Sequence, residues 1–294
     1  MMPVCLAAVH MPAYIAAMHA FRIVNVFTID GDRFSGNPLC VFEDARGLSD
    51  REMQALARQM NLSETTFVLP SERGDAHVRI FTPGYELPFA GHPTLGTASV
   101  VGGERDRVVL EMKAGLVSVT RAADAWTLRA AKPPATRPVD ATRGELARML
   151  GLPDGAVTGE PLWVDTGVEQ LVIPVATAAQ VRAARPVPDL LARWGFSPGR
   201  DEAMAYLWAA DAPEWTVRLF FTVNGAVLED PATGSACANL GGWHLAQRRP
   251  PFTATLRQGD AVGRPSRLGL RVDADGGIYV TGSVIELGRG AVNL

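Results

Sequence analysis

Residues 21–28 alternate apolar and polar positions with a period of two, and their β-forming side chains predict a strand. The turn residues Ser35, Gly36, Asn37 and Pro38 interrupt the pattern, and a second strand resumes over 39–42. Ser49 followed by Glu52 is a capping box. Leu56 and Met60 carry one apolar face forward, so a helix begins there and stops near Asn61. The pattern then predicts strands over 64–69 and 77–82, a helix over 94–101, and strands over 108–112, 116–120 and 126–130. Between Lys132 and Pro138, three prolines make the chain read as a linker. Beyond it the order recurs. A helix over 143–150, capped by Thr142 and Glu145, leads to strands over 162–165 and 170–175 and helical segments over 178–184 and 189–194. Strands over 204–208 and 215–222, a helix over 235–248, and strands over 253–258, 268–272, 278–281 and 284–287 complete the chain. The two halves match in element order and little in residue identity. The expected division is a leader over 1–20, a first lobe over 21–132 and a second over 138–282, with a last strand at about 283–294 returning to the first lobe.

Each half holds one glycine-containing loop at a corresponding place. The first is Phe89-Ala90-Gly91-His92-Pro93-Thr94-Leu95-Gly96-Thr97-Ala98, and the second is Glu229-Asp230-Pro231-Ala232-Thr233-Gly234-Ser235-Ala236. Each follows a strand with an Arg-aliphatic-Phe run, Arg79-Ile80-Phe81 and Arg218-Leu219-Phe220, and each opens into small residues able to start an enclosed helix. A helix start leaves backbone N–H groups unpaired and carries about half a positive charge. Two such starts facing one pocket would hold a carboxylate and stabilise negative charge developing beside it. That arrangement suits proton transfer on a small acid.

Composition narrows the class further. With 294 residues, 47% of them hydrophobic, the chain can bury one large core or two of ordinary size. A net charge of −3 and scattered basic residues argue against a nucleic-acid partner. Cys5, Cys40 and Cys237 are odd in number and lack CxxC spacing, which argues for a reducing compartment and against a zinc cluster or disulfide frame. No apolar run reaches the length of a bilayer span, so no membrane association is expected and the reading is a soluble, cytoplasmic protein. Residues 1–20, rich in Ala and Met and without Lys or Arg, lack the basic start of a signal peptide and read as an extended leader. Dinucleotide, P-loop and GxSxG motifs are missing, and His10, His19, His77, His92 and His244 show no HxxxH spacing. No metal or cofactor is expected.

The blocks Asn61-Leu62-Ser63-Glu64-Thr65-Thr66-Phe67-Val68, Phe81 through Thr94, and Glu229 through Ala236 resemble the signature segments of the PhzF (phenazine biosynthesis-like) family. Phe34-Ser35-Gly36-Asn37-Pro38, Gln258-Gly259 and Gly263-Arg264-Pro265-Ser266 extend the resemblance, which runs from about Phe21 to the C-terminus. It implies an α+β fold of the diaminopimelate-epimerase type: two pseudo-symmetric β-barrel-like halves, each around a central helix, with the active site between them. It also implies a homodimer and an isomerase that shifts a proton on a small carboxylic-acid substrate. By that resemblance Glu64 is the catalytic acid/base, and Gly91, His92, Asp230, Gly234 and Ser235 surround the substrate.

Residue chemistry gives reasons for these roles and leaves others open. A cleft walled by Phe67, Phe81 and Phe89 would raise the Glu64 pKa, although pattern alone favours a solvated residue at a strand entrance. The helix start would keep His92 neutral, while Asp230 and Ser235 also suit capping or bracing. Fold relatives that racemise with two thiols carry cysteines in both glycine loops; here Ala90 and Pro231 stand in that vicinity, and Cys237 reads as a small core residue. Two alternatives remain at this level: an amino- or imino-acid epimerase working with Glu64 and Asp230, and a small-acid binding protein without turnover.

Overall fold

A computed structural model describes residues 18–130, 132–199, 202–249 and 251–294. The expected leader lies outside the described residues up to position 17, and Met18, His19 and Ala20 already belong to the first strand. The first half consists of β1 (Met18–Val26), β2 (Asn37–Phe42), α1 (Asp50–Met60), β3 (Thr65–Leu69), β4 (Ala76–Phe81), β5 (Glu86–Leu87), α2 (Gly91–Gly102), β6 (Arg107–Met112), β7 (Gly115–Ala122) and β8 (Ala125–Arg129). The second half begins with β9 (Ala135–Pro138), α3 (Arg143–Met149), β10 (Leu162–Asp165), β11 (Glu169–Pro174), α4 (Ala178–Ala183), α5 (Pro188–Trp194) and β12 (Phe196–Ser197). It continues through β13 (Glu202–Ala209), β14 (Trp215–Val223), β15 (Ala226–Asp230), α6 (Gly234–Ala246), β16 (Phe252–Gln258), β17 (Ser266–Val272) and β18 (Ile278–Asn293).

Strand pairing closes the first half into a barrel. The circuit runs β1–β2–β3–β4–β6–β7–β8–β18 and returns to β1. The second half runs β9–β10–β11–β13–β14–β16–β17–β18. Pairing types repeat in the same order. Strands β2 and β3 are parallel with α1 between them, as β11 and β13 are with α4 and α5 between them. Likewise β4 and β6 are parallel on either side of α2, and β14 and β16 on either side of α6. The architecture is α+β, with two pseudo-symmetric halves each wrapped on one helix.

Helices α2 and α6 have no polar side to turn outward, because strands surround them. Glycine lets the strands approach: a Cβ on Gly96 would lie 2.6 Å from Leu39, and one on Gly241 would lie 2.8 Å from Ile278. The structure extends the predicted first central helix three residues earlier, to Gly91. Pro93 does not prevent this, since a first-turn proline lacks only an N–H that has no helical partner anyway. The expected linker contains β9, an exposed strand that among the described residues pairs with β10 alone, and such an edge tolerates Pro138. The two strands expected near the end are one, β18, whose Gly282 leaves room for Phe27: a Cβ there would lie 2.2 Å from its ring.

Candidate active site

Two hairpins shape the site, and both Arg-aliphatic-Phe runs hold them the same way. Arg79 donates Nε and Nη2 to Glu86 at 2.8 and 2.9 Å, fastening β4 to β5. Arg218 donates the same pair of groups to Glu229 at 3.0 and 2.6 Å, fastening β14 to β15, and its third nitrogen reaches the carbonyls of Val181, Arg182 and Ala184. Each guanidinium also lies over the phenylalanine two residues on, at 5.1 Å for Phe81 and 4.4 Å for Phe220. From each of these glutamates the chain runs through a short loop to Gly91 or Gly234, where a central helix begins.

The two helix starts meet. A Cβ on Gly91 would stand 3.1 Å from the Gly234 Cα and the Ser235 nitrogen, a tight contact that glycine avoids. Above this junction lies an open cleft of about 1780 Å³, lined from the first half by Glu64, Glu86 and Phe89 among others and from the second by Phe220, Asp230 and Ser235. Of the expected site residues, Glu64, Asp230 and Ser235 line the cleft, whereas Gly91, His92 and Gly234 are buried just behind it. Glu64 immediately precedes β3 with its side chain 17% exposed, and its Oε2 sits 3.5 Å from Nδ1 of His92. Burial drives the His92 pKa down to about 3, partly opposed by the Pro38 carbonyl. The imidazole is therefore neutral as expected, but through desolvation above all.

The proposed aromatic wall differs from expectation. Phe67 and Phe81 belong to a separate apolar cluster with Phe42 beneath α1, with ring centroids 4.9 Å apart for Phe42–Phe67 and 5.4 Å for Phe67–Phe81. Strand pairing turns both toward α1, and of the three expected rings only Phe89 lines the cleft. Phe220 and Phe221, from the other half, supply further rings. At the start of α6 the N-cap is Thr233, and its counterpart on α2 is Ala90. Cys237 is fully buried within α6, and burial pushes its thiol pKa up, which leaves it a packing residue.

Asp230 is held by residues far away in sequence. Asn37 donates Nδ2 to its carboxylate at 2.9 Å and to the Ala232 carbonyl at 2.9 Å, while the Thr233 hydroxyl donates to the other carboxylate oxygen. Gln258 donates to the Asp230 carbonyl at 2.9 Å and to the Thr233 hydroxyl at 3.0 Å. Arg264 reaches back to the Gly36 carbonyl at 2.9 Å and the Asn25 side chain at 2.8 Å. Gly259, at φ +82°, passes so close to the Arg264 and Pro231 carbonyls that a Cβ would lie 2.2 and 2.5 Å from them. The early and late motifs singled out in the sequence are thus one clasp around the Asp230 loop. Enclosure pushes the Asp230 carboxyl pKa up to about 6, against the hydrogen bonds from Thr233 and Asn37, with Glu229 adding repulsion. Asn37 and Gln258 were visible as motif members without a role. Gln170, which donates to the Ser235 hydroxyl at 3.0 Å, carried no sequence signal, being one polar residue in an apolar strand.

Two equivalent halves, each wrapped on a helix whose start opens beneath a shared cleft, define a diaminopimelate-epimerase-like protein. A family model described as phenazine biosynthesis-like protein (PhzC-PhzF) matches residues 24–287, and the chain belongs to this family. An uncharacterised isomerase of Pasteurella multocida is 40% identical over 277 residues, covering 92% of this chain and 93% of the relative. The trans-2,3-dihydro-3-hydroxyanthranilate isomerase of Pseudomonas aeruginosa is 37% identical over 273 residues, covering 88% and 92%. Among solved structures, a PhzF-family phenazine biosynthesis protein of Bacillus anthracis superposes with a TM-score of 0.83 at 23% identity, covering 95% of this chain and all of that one. A hydroxyproline epimerase from Agrobacterium vitis shares the fold, with a TM-score of 0.62 at 14% identity, covering 94% and 93%. The chain is an isomerase of the PhzF type. Among its described residues no helix is long and apolar enough to cross a membrane.

Proposed function

We propose that this isomerase moves a proton within a small carboxylated substrate held in the cleft, with Glu64 as the acid/base and no cofactor. The observation that carries the reading is the position of Glu64: a carboxylate on the cleft wall, backed by neutral His92, on the same floor as two abutting helix starts. In the reaction Glu64 takes a proton from one carbon and returns it to another, so that atoms and charge balance across the step. Negative charge that develops on the substrate meets the amide groups of the helix starts and the Ser235 hydroxyl. Asp230, with its pKa near 6, supplies a second group able to hold or release a proton near neutrality. The reading includes a cytoplasmic homodimer, supported by the family resemblance and by the cysteine usage.

The name of the Pseudomonas aeruginosa relative makes trans-2,3-dihydro-3-hydroxyanthranilate the first substrate to test. Incubation in heavy water with a panel of small carboxylic acids should place deuterium on carbon in the true substrate. An acid bound tightly without any deuterium uptake would instead mark a binding protein. The two carboxylates, Glu64 from one half and Asp230 from the other, also favour a second reading as an amino- or imino-acid epimerase. Deuterium uptake accompanied by inversion of configuration would select it.

A further inference from the structure

A chain of buried amides, running from Asn239 in the core to Gln170 at the cleft lining, has only one consistent hydrogen-bond polarity. The backbone N–H of Thr166, which can only donate, meets Oδ1 of Asn239 at 2.9 Å, and the Thr166 hydroxyl donates to the same oxygen at 2.7 Å. Nδ2 of Asn239 is therefore the donor end, and it meets the Val168 carbonyl, which can only accept, at 2.7 Å. The same Nδ2 donates to Oε1 of Gln170 at 2.7 Å, which makes Nε2 of Gln170 the group that donates to Ser235 Oγ at 3.0 Å. Asn239 and Gln170 are 0% and 1% exposed, so water cannot exchange with either amide to reverse the order. Both amide orientations thus follow from backbone groups whose roles are unambiguous.

We infer that Gln170 is a positioning residue: by donating to Ser235 Oγ it turns the Ser235 proton away from itself and toward the cleft. Ser235 then presents a donor, and the substrate group beside the start of α6 must be an acceptor such as a carboxylate or a developing oxyanion. This rests on the cleft being the substrate site, and it deepens that reading by assigning the polarity of one wall. Gln170 touches no reacting atom in this scheme and acts through Ser235.

Neutron diffraction from the deuterium-exchanged full chain reads the polarity without any substrate. The expected map has the Gln170 amide deuterons on Nε2, one of them toward Ser235, and the Ser235 deuteron pointing into the cleft. A Ser235 deuteron directed at Gln170 overturns the inference. Calorimetric titration with 3-hydroxyanthranilate, an aromatic acid analogue, tests the consequence. Gln170→Met should weaken binding by about three- to tenfold, as expected for one misdirected hydrogen bond. In a Ser235→Ala background the same change should weaken it by less than about twofold, because the residue it acts through is gone. Gln170→Glu keeps the shape but offers an acceptor, so the Ser235 proton turns toward it and binding should fall by more than about tenfold. An undiminished Gln170→Met penalty in the Ser235→Ala background, or no penalty in either, overturns the positioning role. Failure of 3-hydroxyanthranilate to bind the unaltered protein counts against the substrate class alone, and the neutron map still decides the polarity.

Discussion

Asp230 and His92 are both enclosed, and enclosure shifts them in opposite directions. Asp230 reaches the cleft with one edge, yet its carboxyl is surrounded by Asn37, Thr233 and Glu229. Its folded pKa near 6 lies above the ordinary 3.8, so its contribution to stability is full below about pH 4 and is lost as pH rises through 6. Asp230→Asn should therefore raise stability at pH 8 by on the order of 2 kcal/mol, with the gain vanishing near pH 4; urea unfolding at the two pH values checks it. Any limb near pH 6 in the rate profile should disappear with the same change. The lowered pKa of His92 works the other way: its contribution is present above pH 6.5 and lost as pH falls toward 3. Glu64→Gln keeps size and hydrogen bonding but removes the proton carrier, so turnover should fall by about 10²- to 10⁴-fold while folding and ligand affinity survive. Single-turnover kinetics with deuterium uptake measures this, and undiminished uptake would move the proton to His92 or Asp230.

At the scale of elements, the two arginine–glutamate clamps are equivalent in geometry and unequal in burial. Arg218 and Glu229 are each 7% exposed, whereas Glu86 keeps a second cation, Lys113 at 2.9 Å, when Arg79 is removed. Arg218→Met leaves a buried carboxylate unpaired and should cost about 3–5 kcal/mol in denaturant unfolding. Arg79→Met should cost clearly less. The recurring Arg-aliphatic-Phe run was legible in the chain, but its glutamate partners were not. They stand seven residues on in one half and eleven in the other, because β14 and β15 extend into a longer hairpin than β4 and β5. The linker-like prolines misled for a related reason: local composition marks a turn or an edge strand equally, and only the pairing of β9 with β10 distinguishes them.

For the molecule as a whole, the pseudo-symmetric frame carries unsymmetrical chemistry. Strand registers make Glu64 the counterpart of Met204 and Asp230 the counterpart of Leu87, and the first residues after the helix-start glycines pair His92 with Ser235. Glu64 and Asp230 therefore come to the cleft from different positions in the repeat. Strand β18 holds the frame together, pairing with β17 and β8 before running along β1 from Val284 to Asn293. Removing residues 284–294 would open the first barrel beside β1 and expose its core. The expected outcome is loss of a single cooperative unfolding transition by calorimetry, with the second half affected less. A truncated chain that still melts in one transition near the original temperature would show that β18 does not bind the halves together.

The sequence by itself determined most of the order of elements, its recurrence in two halves, and a central helix following each glycine loop. Those features rest on local periodicity, capping and turn chemistry, which neighbouring residues specify among themselves. Tertiary structure alone decided which way each side chain faced and what it cost to place it there. Phe67 and Phe81 left the cleft because strand pairing turned them toward α1. Asn37 reached Asp230 across 193 residues, and Gln170 reached Ser235 across 65. Hydrogen-bond polarity and pKa depend on burial and on partners distant in sequence, and neither leaves a local pattern to read.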